Sequence, residues 1–267
     1  MLALVVTLIV MGSIYTVLLA TQRATRMQAD RVALQSNVRA GSVIVVNELS
    51  ELATVPGGTP EQNDIVAMGT SAVTYRAMRG SGFICQAPGG AVIRLAQAGF
   101  SGHRDPQANR DEAYIFVPGT PSLDVKDSWL ALKIVSVSVA SACPAGQGAG
   151  ITLTLAASPP APLLVPGTPV RIAEMMELRL YPSDDKSWLG IRSLGTGEAI
   201  QPLVGPLAEA DGVALEYLDS AGAPTLDRTS VSSVRLTLRA LLQGSEGSVP
   251  VVEELITGVP LRNSPAS

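Results

Sequence analysis

The chain has 267 residues, a formal net charge of -4 and 46% hydrophobic residues, while Phe, Trp and Tyr together make up only 4%. This apolar content and modest charge exclude a disordered chain, and the sequence has none of the clustered Lys and Arg that nucleic-acid binding requires. The 25 Gly and 19 Pro lie mostly after residue 55, so long helices are not expected there.

Residues 1–22 carry no charged side chain, and the first is Arg23. About 20 apolar residues span the hydrocarbon core of a bilayer, so we predict a membrane-spanning helix. A cleaved signal is the rival interpretation, with Ala20 as its small residue, but the basic start is missing and the apolar run is long. The predicted membrane and assembly positions are Leu2, Leu4, Val5, Leu8, Ile9, Gly12, Ile14, Val17 and Leu18.

The next segment, 23–55, has the spacing of an amphipathic helix. No proline precedes Pro56, and the run 54–58 is a helix terminator. We therefore predict one continuous helix over 1–55, with 1–22 in the membrane and 23–55 amphipathic. Residues 43–46 are apolar all round, which predicts that a domain wraps that turn. An ordinary single-span anchor with a short stalk is the alternative. The positions predicted to pack against the head are Met27, Leu34, Val38, Val45, Leu49 and Leu52.

Residues 56–260 change to short alternating runs, which predict a β-rich head with antiparallel pairing. The fold class is α+β: a long N-terminal helix followed by a mainly antiparallel sheet. The stretch 99–111 is predicted to be a polar loop, and 261–267 a frayed tail. The strand candidates are 65–68, 73–76, 82–85, 92–95, 114–117, 129–139, 151–155, 170–181, 188–194, 213–217 and 231–241.

Candidate chemistry is sparse. His103 is the single histidine and lies in the polar loop, and no Gly-x-Ser-x-Gly nucleophile turn occurs. Gly195 and Gly197 lack the third glycine of a dinucleotide loop, and Asp184-Asp185 is predicted to be a hairpin tip rather than a calcium site. We therefore expect no enzyme activity, catalytic residue, metal, cofactor or small-molecule substrate.

Cys85 and Cys143 are the only cysteines, and each ends a candidate strand. A domain on the oxidising side of a membrane pairs such cysteines, so we predict a disulfide; two buried thiols in a cytoplasmic domain are the alternative. Arg23, Arg26 and Arg31 follow the span, which by the positive-inside rule favours a cytoplasmic domain. That rule compares both flanks, however, and the N-terminal flank is missing.

The N-terminal helix, with its Gln-x-Asn-x-Arg-Ala run at 35–40, resembles that of type IV pilin-like proteins. Within that group it is most similar to minor pilins of the PilW type and to minor pseudopilins of the type II secretion J-component type. The stretches 211–225 and 231–238 resemble the C-terminal strand, turn and strand of those proteins. The matches cover some 70 residues, and the middle of the chain carries none.

The resemblance implies a non-enzymatic subunit that takes part in assembly of a type IV pilus or a type II secretion pseudopilus. Its partners would be other pilin or pseudopilin subunits, met through the N-terminal helix, and the inner membrane before assembly. It would be a single-pass inner-membrane protein with its head in the periplasm, and incorporation into a cell-surface filament is a further expectation. It would bind no nucleic acid. A signal-anchored periplasmic β-rich binding domain is the alternative.

One departure from the family generates a prediction. The family has a short basic leader and Gly-Phe-Thr-Leu-x-Glu before the apolar run, and this sequence starts just after the position of that glutamate. Either the start lies too far downstream or the protein diverges from the family and is not processed; we prefer the first. In-frame codons upstream should then encode such a leader, which sequencing that DNA checks. An in-frame stop directly before Met1, with no alternative start, would contradict this expectation.

Overall fold

The computed structural model describes residues 2–55, 58, 62–119, 127–144, 146, 148–160, 164–242 and 251–262. One helix, α1 (Leu2–Ser50), precedes thirteen strands within these residues. The predicted α+β fold, a long helix followed by an antiparallel sheet, is confirmed. The strands are β1 (Ile65–Met68), β2 (Ala72–Gly89), β3 (Val92–Ala96), β4 (Ser101–Gly102), β5 (Asp111–Val117), β6 (Ser128–Ala142), β7 (Ala149–Leu155), β8 (Pro169–Ser183), β9 (Lys186–Ser193), β10 (Gln201–Leu207), β11 (Val213–Leu218), β12 (Ser233–Leu242) and β13 (Val251–Pro260).

The helix is continuous but ends at Ser50 rather than at the predicted residue 55. The backbone beyond it bonds to the segment before β1 instead of extending the helix. The Ala53 N–H donates to Asp64 Oδ2 at 2.8 Å, and the Val55 N–H donates to Asn63 Oδ1 at 2.7 Å. These acceptors replace the helical carbonyls, so the chain leaves the helix before Pro56.

Six strands close into a small barrel. The hydrogen-bonded order is β2-β3-β7-β6-β5-β8, and pairing of β8 back to β2 completes the ring. A barrel of this size is filled by its own side chains, and eleven buried residues from these six strands form the interior. They are Ile84, Ile93, Leu95, Ala113, Ile115, Ile134, Ile151, Leu153, Leu155, Val170 and Ile172.

The two longest barrel strands continue into a second layer. The first half of β2 pairs with β1, and the second half of β8 pairs with β9, which leads through β10 to β12. Strand β12 pairs with β13 along its whole length and with β11 on its other side. This part of the sheet packs on α1, so β2 and β8 connect the barrel rigidly to the helix-bearing layer.

Several predicted boundaries differ from the structure. The candidates 73–76 and 82–85 are one long strand, β2, with an irregularity between Met78 and Gly80. The predicted polar loop 99–111 contains β4, and β10 and β13 were not predicted. The predicted frayed tail is wrong at its start, because Leu261 is buried and its N–H donates to the Ser232 carbonyl. The remainder of that tail, 263–267, lies outside the described residues.

The two cysteines form the predicted disulfide. Cys85, in β2, is bonded to Cys143, which directly follows β6, and the two Cα atoms are 5.8 Å apart. Strands β2 and β6 are barrel strands that do not pair with each other. The bond therefore adds a covalent tie between separate parts of the barrel wall, across a sequence separation of 58.

Reduction of this bond should destabilise the head. Loss of the cross-link restores loop entropy to the unfolded chain, and we expect the free energy of unfolding to fall by about 2–4 kcal/mol. The measurement is denaturant unfolding of the Cys85→Ser/Cys143→Ser variant against the parent protein. Thiol labelling of denatured, unreduced protein should find no free sulfhydryl. Full labelling of both cysteines would contradict the bridge.

Candidate functional site: the N-terminal helix and its attachment to the head

The first half of α1 presents apolar side chains that no other part of the described chain covers. Leu8, Ile9, Ile14, Val17 and Leu18 are each at least half exposed. The helix Val6–Ser50 is long and apolar enough to cross a membrane, and none of its most apolar window is buried. The side chains of the other predicted positions, Leu2, Leu4 and Val5, lie outside what the structure describes.

The serine and threonine hydroxyl groups of this half are satisfied inside the helix. Thr7 donates to the Ala3 carbonyl at 2.8 Å, and Thr16 donates to the Ser13 carbonyl at the same distance. Ser13 and Thr21 bond back to carbonyls in the same way. A hydroxyl bonded within its own helix removes the cost of placing it in hydrocarbon. The serine and threonine residues of this segment are therefore compatible with a lipid environment.

The second half of α1 buries one face. Leu34, Val38, Val45 and Leu49 belong to the larger hydrophobic core, where they meet residues of β10, β12 and β13 among others. Leu52 joins the same core from just beyond the helix end.

Two expectations for this half are wrong. Met27 does not pack on the head and is 50% exposed. Among the described residues, the most N-terminal ion pair between helix and head lies one turn further along, between Arg31 and Glu253. The turn at 43–46 is not wrapped, since Val43 and Ile44 remain 58% and 45% exposed. The sheet covers one side of the helix only, and these two residues face away from it.

Close contact between helix and sheet depends on Gly41. A Cβ built at this position would lie 1.8 Å from Val204 Cγ2 and 3.0 Å from Val204 Cβ. One turn earlier, the Asn37 side-chain amide donates to the Gly205 carbonyl of β10. The glycine thus allows β10 to approach the helix backbone, and the asparagine satisfies the carbonyl beside it.

A charged cluster ties the end of the helix to the barrel. Glu174 of β8 is almost fully buried and is bound by Arg79 at 2.8 Å, by Arg104 at 3.1 Å and by Arg110. Burial alone would raise the pKa of Glu174, but hydrogen bonds, first from Arg79 and with others from Arg104 and Arg110, together lower it to about 2. Arg79 also reaches Glu48 of α1, with a nitrogen–oxygen distance of 3.5 Å. The helix end is therefore connected electrostatically to the barrel.

The same cluster extends into the predicted polar loop. Arg104 contacts Asp111 through two hydrogen bonds of 2.6 Å each, and Asp111 is fully buried. The Gln107 N–H also donates to Asp111 at 2.7 Å. The cluster was not predicted from the sequence; the only signal was a carboxylate, Glu174, between apolar neighbours in a strand, and Glu177 of the same strand has similar neighbours without joining the cluster.

Asp64, which accepts the hydrogen bond from Ala53 beyond the helix end, has a raised pKa. Burial raises its pKa to about 6, against the opposing effects of the Ala53 N–H, Arg171 and Arg76. A carboxyl with a raised folded pKa favours the folded state at low pH, and this contribution is lost as pH rises toward 6. Burial of Asp64 at this position is therefore least costly when its carboxyl is protonated, whereas the hydrogen bond from the Ala53 N–H favours the ionised form.

The other residues that the sequence singled out do not lie together at one site. His103 is exposed and lies at a cleft of about 410 Å³ between the helix end and β2. Asp184 and Asp185 form the tip of the β8–β9 hairpin with positive φ angles of 51° and 57°, as predicted for a turn. Among the described residues, no group of three His, Cys, Asp or Glu side chains is placed to hold a metal ion.

Comparison of the chain with protein families, with curated proteins and with solved structures finds no match.

The helix–sheet contact generates a paired test at two helical glycines. Gly41→Ala gains helix propensity of about 1 kcal/mol but must displace Val204, and overpacking of this kind costs about 1–3 kcal/mol. We expect lower stability of the docked head, measured as the midpoint of thermal unfolding. Gly12→Ala is the matched control, because no atom of the described chain lies within 4 Å of the added Cβ. Equal or higher midpoints for both variants would contradict the close contact at Gly41.

Proposed function

We propose that this chain is a non-enzymatic structural subunit, a minor pilin or pseudopilin that takes part in assembly of a type IV pilus or a type II secretion pseudopilus. The observation that carries the proposal is a single helix with two different surroundings. Its first half is bare and apolar, and its second half is fixed to the head. The sequence resemblance of the helix to pilin-like proteins supports the same function.

An uninterrupted helix transmits the orientation of one of its ends to the other. A flexible linker would serve an ordinary anchor equally well, because an anchor has only to hold a domain near the bilayer. Here the apolar half continues without a break into a half whose face is buried in the core. The orientation of the head is therefore coupled to that of the apolar half. Such coupling suits a subunit that packs by its helix into an ordered array.

The proposed location is the inner membrane, with one span and the head in the periplasm. The disulfide supports an oxidising compartment, and the exposed apolar half supports the span. Before assembly the partner of the helix would be lipid. Afterwards it would be the helices of other pilin or pseudopilin subunits, against which small residues allow close packing.

The test is enlargement of Gly12. Gly12→Leu raises hydrophobicity, so insertion should survive, but it fills a surface against which a neighbouring helix could pack. We expect normal membrane levels with loss of pilus or pseudopilus function in the cell. Val10→Leu is the control, since it enlarges a side chain that is already large and half exposed.

A second variant separates assembly from anchoring. Replacement of residues 1–20 by an unrelated membrane span should abolish function if the helix is an assembly element. Full function of that chimera would reject the proposal in favour of an anchored binding domain.

A further inference from the structure

A small cationic cavity lies on the outer face of the barrel, away from the packing face of α1. Its wall includes Tyr114 of β5, Trp129 of β6 and Arg171 of β8, together with Arg76 of β2 and Asp64. Tyr114 and Arg171 are direct cross-strand partners, so register places the ring beside the guanidinium. The cavity has a volume of about 30 Å³, room for about two water-sized groups.

Arg171 is held by stacking rather than by a counter-ion. Its guanidinium carbon lies 4.2 Å from the centroid of the Trp129 ring. Trp129 is itself fixed by an edge contact with Phe116, with centroids 5.3 Å apart. Within the described part of the chain, no carboxylate lies within 4 Å of the Arg171 nitrogen atoms and no hydrogen-bond acceptor is bound to them. The stacked face fixes the plane of the guanidinium and leaves its N–H edge available.

The charges around Arg171 favour an anion. Burial, and also the like charge of Arg262, lower the pKa of Arg171 although Asp64 opposes them. Arg76 lies over the Tyr114 ring at 5.7 Å from its centroid and lines the same cavity. Asp64 is the one carboxylate among the lining residues that the structure describes, and burial raises its pKa to about 6. The lining residues that the structure describes thus include two arginines and one carboxylate, whereas Arg262 is not among them and pairs with Glu51 at 3.1 Å.

We propose that this cavity binds a carboxylate from an acidic segment of another protein. A planar carboxylate matches the in-plane N–H groups of a stacked arginine, which bind its two oxygen atoms side by side. The cavity lies on the outer face of the barrel and contains no residue of the bare apolar half of α1, so it adds a second contact surface to the proposed subunit.

The test is an NMR titration of the full chain in detergent micelles. The probe is a blocked peptide, Gly-Gly-Glu-Gly-Gly, compared with the same peptide carrying Gln. The chain has two tryptophans, and Trp188→Phe assigns their indole N–H signals. The Glu peptide should shift the Trp129 signal saturably while the Trp188 signal stays in place, and the Gln peptide should shift neither.

Variants then distinguish the contribution of Arg171 to binding from the effect of the protein's overall charge. Arg171→Gln should weaken binding about tenfold or more, because charge-assisted hydrogen bonds are lost. Arg235→Gln is the matched control and should bind as the parent does, since Arg235 pairs with Glu216 on β11. Asp64→Asn should bind more tightly, because it removes the negative charge that faces the peptide carboxylate.

Three results would overturn the proposal. The first is no shift at Trp129 with the Glu peptide while the fold is intact by thermal unfolding. The second is that inorganic phosphate binds as tightly as the Glu peptide. The cavity would then bind anions in general and would not select a carboxylate. The third is that the Glu peptide binds to the Glu61→Gln/Asp124→Asn variant but not to the parent protein. This result would mean that an acidic residue of this chain already fills the cavity.

Discussion

Leu34, Val38, Val45 and Leu49 bury one face of α1 in the larger core, and the rest of the architecture depends on this contact. Full burial of each such side chain contributes about 1.5–3 kcal/mol, so together they offset the cost of fixing the helix against the sheet. Without these contacts the helix would be joined to the head only through the chain and would not fix its orientation. With them, the direction of the bare apolar half is determined by the head, because no break separates the two halves.

The charged cluster has a different effect from the apolar contact. Replacement of buried ion pairs by apolar residues is often neutral or stabilising, so the cluster is weak evidence for stability. Removal of one member is costly, however, since it leaves buried charges without compensation. Glu174 accepts from three arginines, and one of these also reaches Glu48 on the helix. The cluster therefore favours one arrangement of helix, layer and barrel over others.

The sequence predicted those elements whose signal is local. The helix followed from an unbroken periodic pattern, and most strands from alternation. Strand β10 was missed because Pro202 and Pro206 argue against a strand, although the irregular register of β9 and β10 accommodates them. Met27 fits the apolar spacing, but spacing does not tell where the head begins along the helix.

The polar sites were not predictable, because their members come from distant segments. Arg79, Asp111 and Glu174 belong to three different strands and meet only in the folded sheet. The same applies to the cavity at Arg171, whose stacking partner Trp129 lies 42 positions away in the chain (171 minus 129). A single sequence shows each residue but not the register that brings them together.

One helix passes unbroken from a bare apolar half to a half fixed on the head. A nitroxide scan along residues 6–50 of the full chain in lipid bilayers tests it directly, by the collision rates with oxygen and with a water-soluble reagent. The account predicts high oxygen accessibility on all sides of the first half. In the second half it predicts low accessibility at Leu34, Val38 and Val45, alternating in a helical period with water-exposed Val32 and Val43. A flat, water-accessible profile after residue 30, or a loss of helical period at any point before Ser50, would contradict it.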